Sequence, residues 1–339
     1  MTIHTATATR TAAGLQALCR QPAVPMVPRT RVATLPSLST DTVSLRQASP
    51  IAHVSLCEAE GVFDPATGGW DPEALPACSN RTDRVIGLNQ PGGPQVDAAA
   101  LADPTAYTMA AAERQRRSQP KDTGYVVGAV IKPVLGQILS KPKTDDGVTQ
   151  MPPDLVKRIE SYLQPGDIIL QGTNADMRSG DRSLFLHGMI YLGRNQEGQG
   201  YIVHAIAQKH QTAQGDLIPA VRLSTYEDGM QRDLPGNDRV AVLRPTSMSQ
   251  ADYNRLVTFA VGEVGKPYDF AFNGNDDSRY YCTELVAKEL EYLDPEANVT
   301  PDPGLPLPMF TDRSIRQAQV KGLLQPVLTI NPRPDRRPS

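Results

Sequence analysis

The stretch Arg279-Tyr280-Tyr281-Cys282-Thr283-Glu284-Leu285-Val286 joins an extended aromatic pair to a helix whose apolar positions Leu285, Val286, Leu290 and Leu293 recur at helical spacing. A cysteine at that junction lies in a first helical turn. Unpaired N–H groups and the positive end of the helix dipole there favour the thiolate, which is the nucleophilic form. Cys282 is therefore a candidate nucleophile; the competing reading is a buried small hydrophobe, the state of most free cysteines. Glu284 opposes reactivity, because a carboxylate beside a thiol disfavours its ionisation.

Working outward, a thiolate nucleophile needs a base, and the base needs a group that fixes its tautomer. The C-terminal half offers His187, His204 and His210. His187 opens the apolar run His187–Gly193, and His204 lies within Tyr201–Ile206 across a polar turn. Adjacent antiparallel strands would then set the two rings side by side as base and orienter. A histidine simply satisfied on a sheet face explains His204 equally well. A zinc site from His187, His204, His210 and Cys282 is compatible by residue type, but no paired cysteines or tight His motif accompany it, so neither metal nor cofactor is expected. Tyr281 and Tyr280 are candidates for the oxyanion site or pocket. Asp167 is another pocket candidate, although closing the turn after Gly166 would also account for it.

The surrounding pattern is α+β. A helix is expected over Asp154–Leu163, then strands at Asp167–Gln171, His187–Gly193, Tyr201–Ile206, Ala220–Leu223 and Val240–Arg244. Ser249 with Asp252 resembles a capping box that opens a helix through Val264, closed by Gly265 and Pro267. The Cys282 helix comes last. Upstream, residues 1–50 read as a flexible leader broken by prolines. Residues 51–150 read as an accessory or targeting region with a helix over Ala106–Arg117 and an apolar stretch, Tyr125–Leu139, kinked at Pro133. That stretch is expected to pack against the following domain rather than to meet a membrane surface. Residues 151–325 form the main domain, with a short helix from Thr311 to about Gln319, and 326–339 a tail.

Composition narrows the class. A net charge of −3 with mixed signs gives no footprint for nucleic acid. The 30 prolines and 26 glycines point to much loop. No apolar run is long enough to span a bilayer. The first thirty residues lack the continuous apolar core of a cleavable secretory signal. Four cysteines are too few for a disulfide scaffold, though Cys57 and Cys78 bracket a loop that a disulfide could close.

Five segments taken together resemble a known family: Pro165–Leu170, His187–Gly193, His204-Ala205, Gly265-Lys266-Pro267-Tyr268-Asp269-Phe270 and Tyr281–Val286. They look like the circularly permuted branch of the NlpC-type papain-like cysteine hydrolases, the YiiX-like proteins, in which the histidine strand precedes the cysteine helix. The resemblance covers residues 155–295. It implies a permuted papain-like fold with a small antiparallel sheet packed on helices, Cys282 as nucleophile and His187 as general base. His204 falls where such proteins often carry an acidic residue. The resemblance also implies amide-bond cleavage, with peptidoglycan as substrate class. The leader suggests a protein made in the cytoplasm and delivered to a target cell by specialised secretion, of type VI kind, as an antibacterial toxin with an immunity partner. Lecithin retinol acyltransferase-like proteins, which act on lipid acyl groups, are more distantly similar; their cysteine motif has Asn before and Glu-His after, unlike Tyr-Cys-Thr-Glu. A non-catalytic binding module of the same fold is the third alternative.

Overall fold

The computed structural model describes residues 57–60, 63–64, 69–70, 75, 85–118, 151–172, 187–207, 210–212, 215–231, 239–270, 277–297, 299, 318–319 and 321–331. All belong to the unit His53–Ser339. In chain order the elements are β1 (Cys57–Glu60), β2 (Phe63–Asp64), β3 (Gly69–Trp70), α1 (Ala98–Ala102), α2 (Pro104–Ser118), α3 (Pro153–Glu160), β4 (Ile168–Gly172), β5 (His187–Arg194), β6 (Gly200–Ile206), β7 (His210–Thr212), β8 (Gly215–Leu217), β9 (Ala220–Thr225), α4 (Tyr226–Gln231), β10 (Arg239–Pro245), α5 (Gln250–Gly262), α6 (Cys282–Leu293) and β11 (Leu324–Asn331). Seven strands form one sheet in the order β1-β11-β10-β4-β5-β6-β9. It is antiparallel except for the parallel β1–β11 edge.

Strand alternation divides the core between the two sheet faces. Ile168, Leu170, Ile190, Leu192, Val203 and Val221 join the core that includes α1, α2, α5 and α6 residues. Ile169, Met189, Tyr191, Ile202, Val240 and Val242 join the core that includes α3 and α4 residues. The strands β4, β6 and β10 are buried along their whole length, and β5 up to Arg194, because both faces are covered.

The capping box read from sequence is present. Ser249 Oγ accepts the Asp252 N–H, and the Asp252 carboxylate accepts the Ser249 N–H. The helices of 98–118, assigned by sequence to an accessory region, share the core of the sheet: Thr108 Oγ1 accepts the Leu223 N–H at 3.2 Å, and the Tyr201 hydroxyl donates to the Leu101 carbonyl at 2.9 Å. Gly265 makes this contact close. Its φ is +91°, and a Cβ there would lie 2.5 Å from the Ala111 carbonyl carbon and 2.6 Å from the Ala112 nitrogen.

The tail expected from residue 326 is instead β11. Pro326 lies within this strand although proline cannot donate to a ladder. It is accommodated because β1 pairs only with Leu328–Asn331, so no strand on that side needs its missing N–H, and a bulge at Val242/Leu243 adjusts β10. The helix α4 and the β7–β8 hairpin are further elements that the sequence reading did not include. The stretch Tyr125–Leu139, the leader 1–50, the side chains of Cys57 and Cys78, and most of the Thr311–Gln319 helix lie outside the described residues.

Asp167 closes the turn before β4. Its Oδ2 accepts the Gln164 N–H at 2.8 Å, and Arg244 holds the carboxylate through Nε at 2.8 Å and a terminal nitrogen at 2.7 Å. Complete burial raises this carboxyl above its usual range, and the guanidinium and the Gln164 N–H oppose the rise. No helix among the described residues is long and apolar enough to cross a membrane.

Candidate active site

The hairpin β5–β6 places the histidines. Asn195 Oδ1 accepts the Glu197 and Gln199 N–H groups and Gly198 takes a positive φ, which fixes the turn. The register then pairs Ile190 with Val203. Carried on toward the start of β5, it sets His204 diagonally across from His187, a separation that two imidazoles span. His187 Nε2 lies 3.1 Å from His204 Nδ1, with the rings edge to face. His204 Nε2 is 3.2 Å from Ser224 Oγ on β9. Both histidines are buried. Helix α4 covers this side: a Cβ on Gly229 would lie 3.6 Å from His204 Cε1.

Cys282 reaches the same strand end from the α6 side. Gly188 makes room, since a Cβ there would already stand 3.2 Å from Val286 Cγ2 and 3.5 Å from Thr283 Cγ2. The N–H groups of Gly188, Thr283 and Cys282 and the Tyr268 hydroxyl all favour the thiolate, yet burial outweighs them and pushes the thiol up to about 11. The helix-start N–H groups thus act in the expected sense, and burial is the larger effect. Glu284 does not act mainly on the sulfur; its Oε2 turns back to accept the Tyr281 N–H at 3.2 Å, capping α6.

The other sequence candidates separate. Tyr281 is the extended N-cap of α6, beside the thiol; burial and the neighbouring Glu284 raise its phenol well above the ordinary range. The Tyr280 hydroxyl is 3.5 Å from Lys266 Nζ and also meets Glu263, with the Lys266 ammonium over its ring. Asp167 adjoins the far end of β4: Gln171 pairs with His187, whereas the Asp167 carbonyl takes the Tyr191 N–H. The turn and ion pair account for its carboxylate. The side chain of His210 on β7 lies outside the described residues. Among the described residues no group of three or more His, Cys, Asp or Glu side chains is placed to hold a metal ion.

Two contributors escaped sequence reasoning. Tyr268, not among the site residues read from sequence, hydrogen-bonds the thiol. Its loop is stitched on both sides, by the Tyr268 N–H to the Pro219 carbonyl at 3.2 Å and the Tyr280 N–H to the Pro267 carbonyl at 3.2 Å. Its place inside Gly265–Phe270 was the available signal. Ser224 gave none, because only the β6–β9 register brings it to His204.

A buried thiol at a helix start, with a histidine pair on an antiparallel sheet that precedes it in the chain, defines a papain-like cysteine hydrolase in permuted order. Residues 162–300 match the model of the Peptidase_C92 family, described as permuted papain-like amidase enzyme, YaeF/YiiX. A solved structure, the metalloprotein YiiX from Escherichia coli O157:H7, is 22% identical over 40% of this chain and 68% of its own, with a TM-score of 0.30. The comparison with curated proteins found no match.

Proposed function

We propose that this cysteine amidase cleaves an amide bond of peptidoglycan, with Cys282 as nucleophile, His187 as general base and His204 as its orienter. The observation that carries the roles is the convergence on one strand end: Gly188 touches the thiol, and the residue before it, His187, is held by His204.

With His187 Nε2 facing His204 Nδ1, the thiol proton would pass to His187 Nδ1. Proton transfer as sulfur attacks the carbonyl avoids a free buried thiolate, the species that burial disfavours. The new C–S bond gives a tetrahedral oxyanion, which the Cys282 N–H and the Tyr268 hydroxyl, with Tyr281 beside them, would receive. Collapse expels the amine, protonated by His187, and leaves a thioester. His187 then takes a proton from water, whose oxygen attacks the thioester, and returns it to the departing sulfur.

Peptidoglycan is inferred from the wider group that the motifs resemble. Delivery to a target cell by a specialised secretion apparatus, with an immunity protein in the producer, is inferred from the Thr/Ala/Pro-rich composition of residues 1–50 joined to such a domain. Mass spectrometry of purified peptidoglycan treated with wild type and Cys282→Ala tests the substrate. New muropeptides lost in the variant are expected. Products from mixed phospholipids alone, also lost in the variant, would overturn the wall assignment in favour of lipid acyl chemistry.

A further inference from the structure

Each histidine of the pair is committed at the nitrogen through which it meets the other, so protons along the line are not independent. In a neutral imidazole one nitrogen donates and the other accepts. For His187 to take a proton at Nδ1 it must carry its own hydrogen on Nε2. That N–H points at His204 Nδ1, 3.1 Å away, which must then be bare. The His204 hydrogen consequently sits on Nε2, facing Ser224 Oγ at 3.2 Å. The opposite arrangement is self-consistent as well: a Ser224 O–H donated to His204 Nε2 would put hydrogens on His204 Nδ1 and His187 Nδ1, leaving no base for the thiol. Whether Cys282 has a base is thus decided at the hydroxyl on β9.

We propose that Ser224 is a positioning residue of this active site, accepting a hydrogen bond from His204 Nε2 and thereby fixing the tautomers of both histidines. Several features place it there. Ser224 is buried at 4% exposure, so water does not readily replace its oxygen. The β6–β9 ladder pairs His204 with Arg222 and Ile202 with Ser224, so Ser224 lies one diagonal step from His204 on the same sheet face. Helix α4 closes over that face at Gly229, which limits the swing of the His204 ring. The acceptor role also persists through the cycle: when His187 becomes an imidazolium, its Nε2–H still needs His204 Nδ1 bare. A carboxylate as third member would accept unconditionally. A histidine does so only if something accepts from its far side, and Ser224 meets that need.

The proposal rests on His187 serving Cys282, and its test needs no substrate, so it fails or stands separately from the peptidoglycan assignment. Imidazole nitrogen and carbon chemical shifts of the full chain report the tautomers directly. Wild type is expected to show His204 as the Nε2–H form; finding the Nδ1–H form would overturn the proposal without any variant. Iodoacetamide alkylation of Cys282 at neutral pH supplies the second readout. Ser224→Ala should react about tenfold more slowly, with His204 shifted out of the pure Nε2–H form, and Ser224→Thr should restore both. An unchanged rate in Ser224→Ala, or a slower rate with the His204 tautomer unaltered, would show that the hydroxyl does not set the tautomer.

Discussion

Replacing His187 with alanine separates a thiol that is activated by its helix from one that depends on a base. Burial lifts the Cys282 thiol from 9.0 to about 11, a displacement of about 3 kcal/mol against the thiolate. At pH 7.5 a thiol left to that environment is ionised in roughly one molecule in three thousand. Alkylation by iodoacetamide follows the thiolate, so in His187→Ala its rate should climb about tenfold per pH unit and level off only near pH 11. With His187 present the proton moves to the imidazole as sulfur reacts, and the wild-type rate should level off well below pH 11. The two proteins should differ by at least about a hundredfold at pH 7.5, because the variant must rely on its small standing thiolate fraction while the wild type passes the proton to a base as it reacts. The assay is the pseudo-first-order loss of free thiol, with mass spectrometry locating the label on Cys282 and circular dichroism confirming that the variant is folded. Superimposable profiles that rise together toward pH 11 would refute the assignment of His187 as base.

Three further outcomes follow from particular contacts. Tyr268→Phe removes the hydroxyl at the thiol but keeps the ring that packs 5.0 Å from Phe270; turnover of muropeptide substrate should fall by about tenfold to a hundredfold in kcat with KM nearly unchanged, and the thermal midpoint should move by only a few degrees. Arg244→Met leaves the Asp167 carboxylate buried without its bidentate partner, so urea unfolding should show a loss of about 3–5 kcal/mol. Alkylation of Cys282 in the folded protein should be unaffected, because Asp167 adjoins the end of β4 away from His187. Gly265→Ala meets α2 backbone at a positive φ and should cost about 2–4 kcal/mol by the same unfolding measurement.

How much of this was legible in the sequence depends on the range of the interaction that decides each feature. The strand and helix segments around His187, His204, Ser249 and Cys282 followed from local periodicity and capping chemistry, and the structure keeps them within a few residues. The sequence order of the histidine strand and the cysteine helix made the permuted arrangement visible as well. Features set by long-range register were not legible. The pairing of β6 with β9 carries Ser224 to His204, and β11 persists through Pro326 only because β1 leaves that position unpaired. Helix α2 joins the main core through Thr108 and the Gly265 gap, a contact between residues more than a hundred positions apart.

The thiol shows the same division in its chemistry. Local reasoning rightly identified N–H groups at the start of α6 as favouring the thiolate, and they do act in that sense on Cys282. It could not include the depth at which tertiary packing places the sulfur, and burial is the larger effect. A thiol so disposed gains from being inert until a base is correctly protonated. On the proposed roles, Cys282 would be carried at neutral pH mainly as a thiol, with reactivity gated by the state of the histidine line rather than by a standing thiolate. Reactivity would then depend jointly on elements far apart in the chain: the α6 start, the Gly265–Phe270 loop, the β5–β6 hairpin and β9. A change in any one of them that spares the fold should appear first as altered thiol chemistry, before it appears as altered stability.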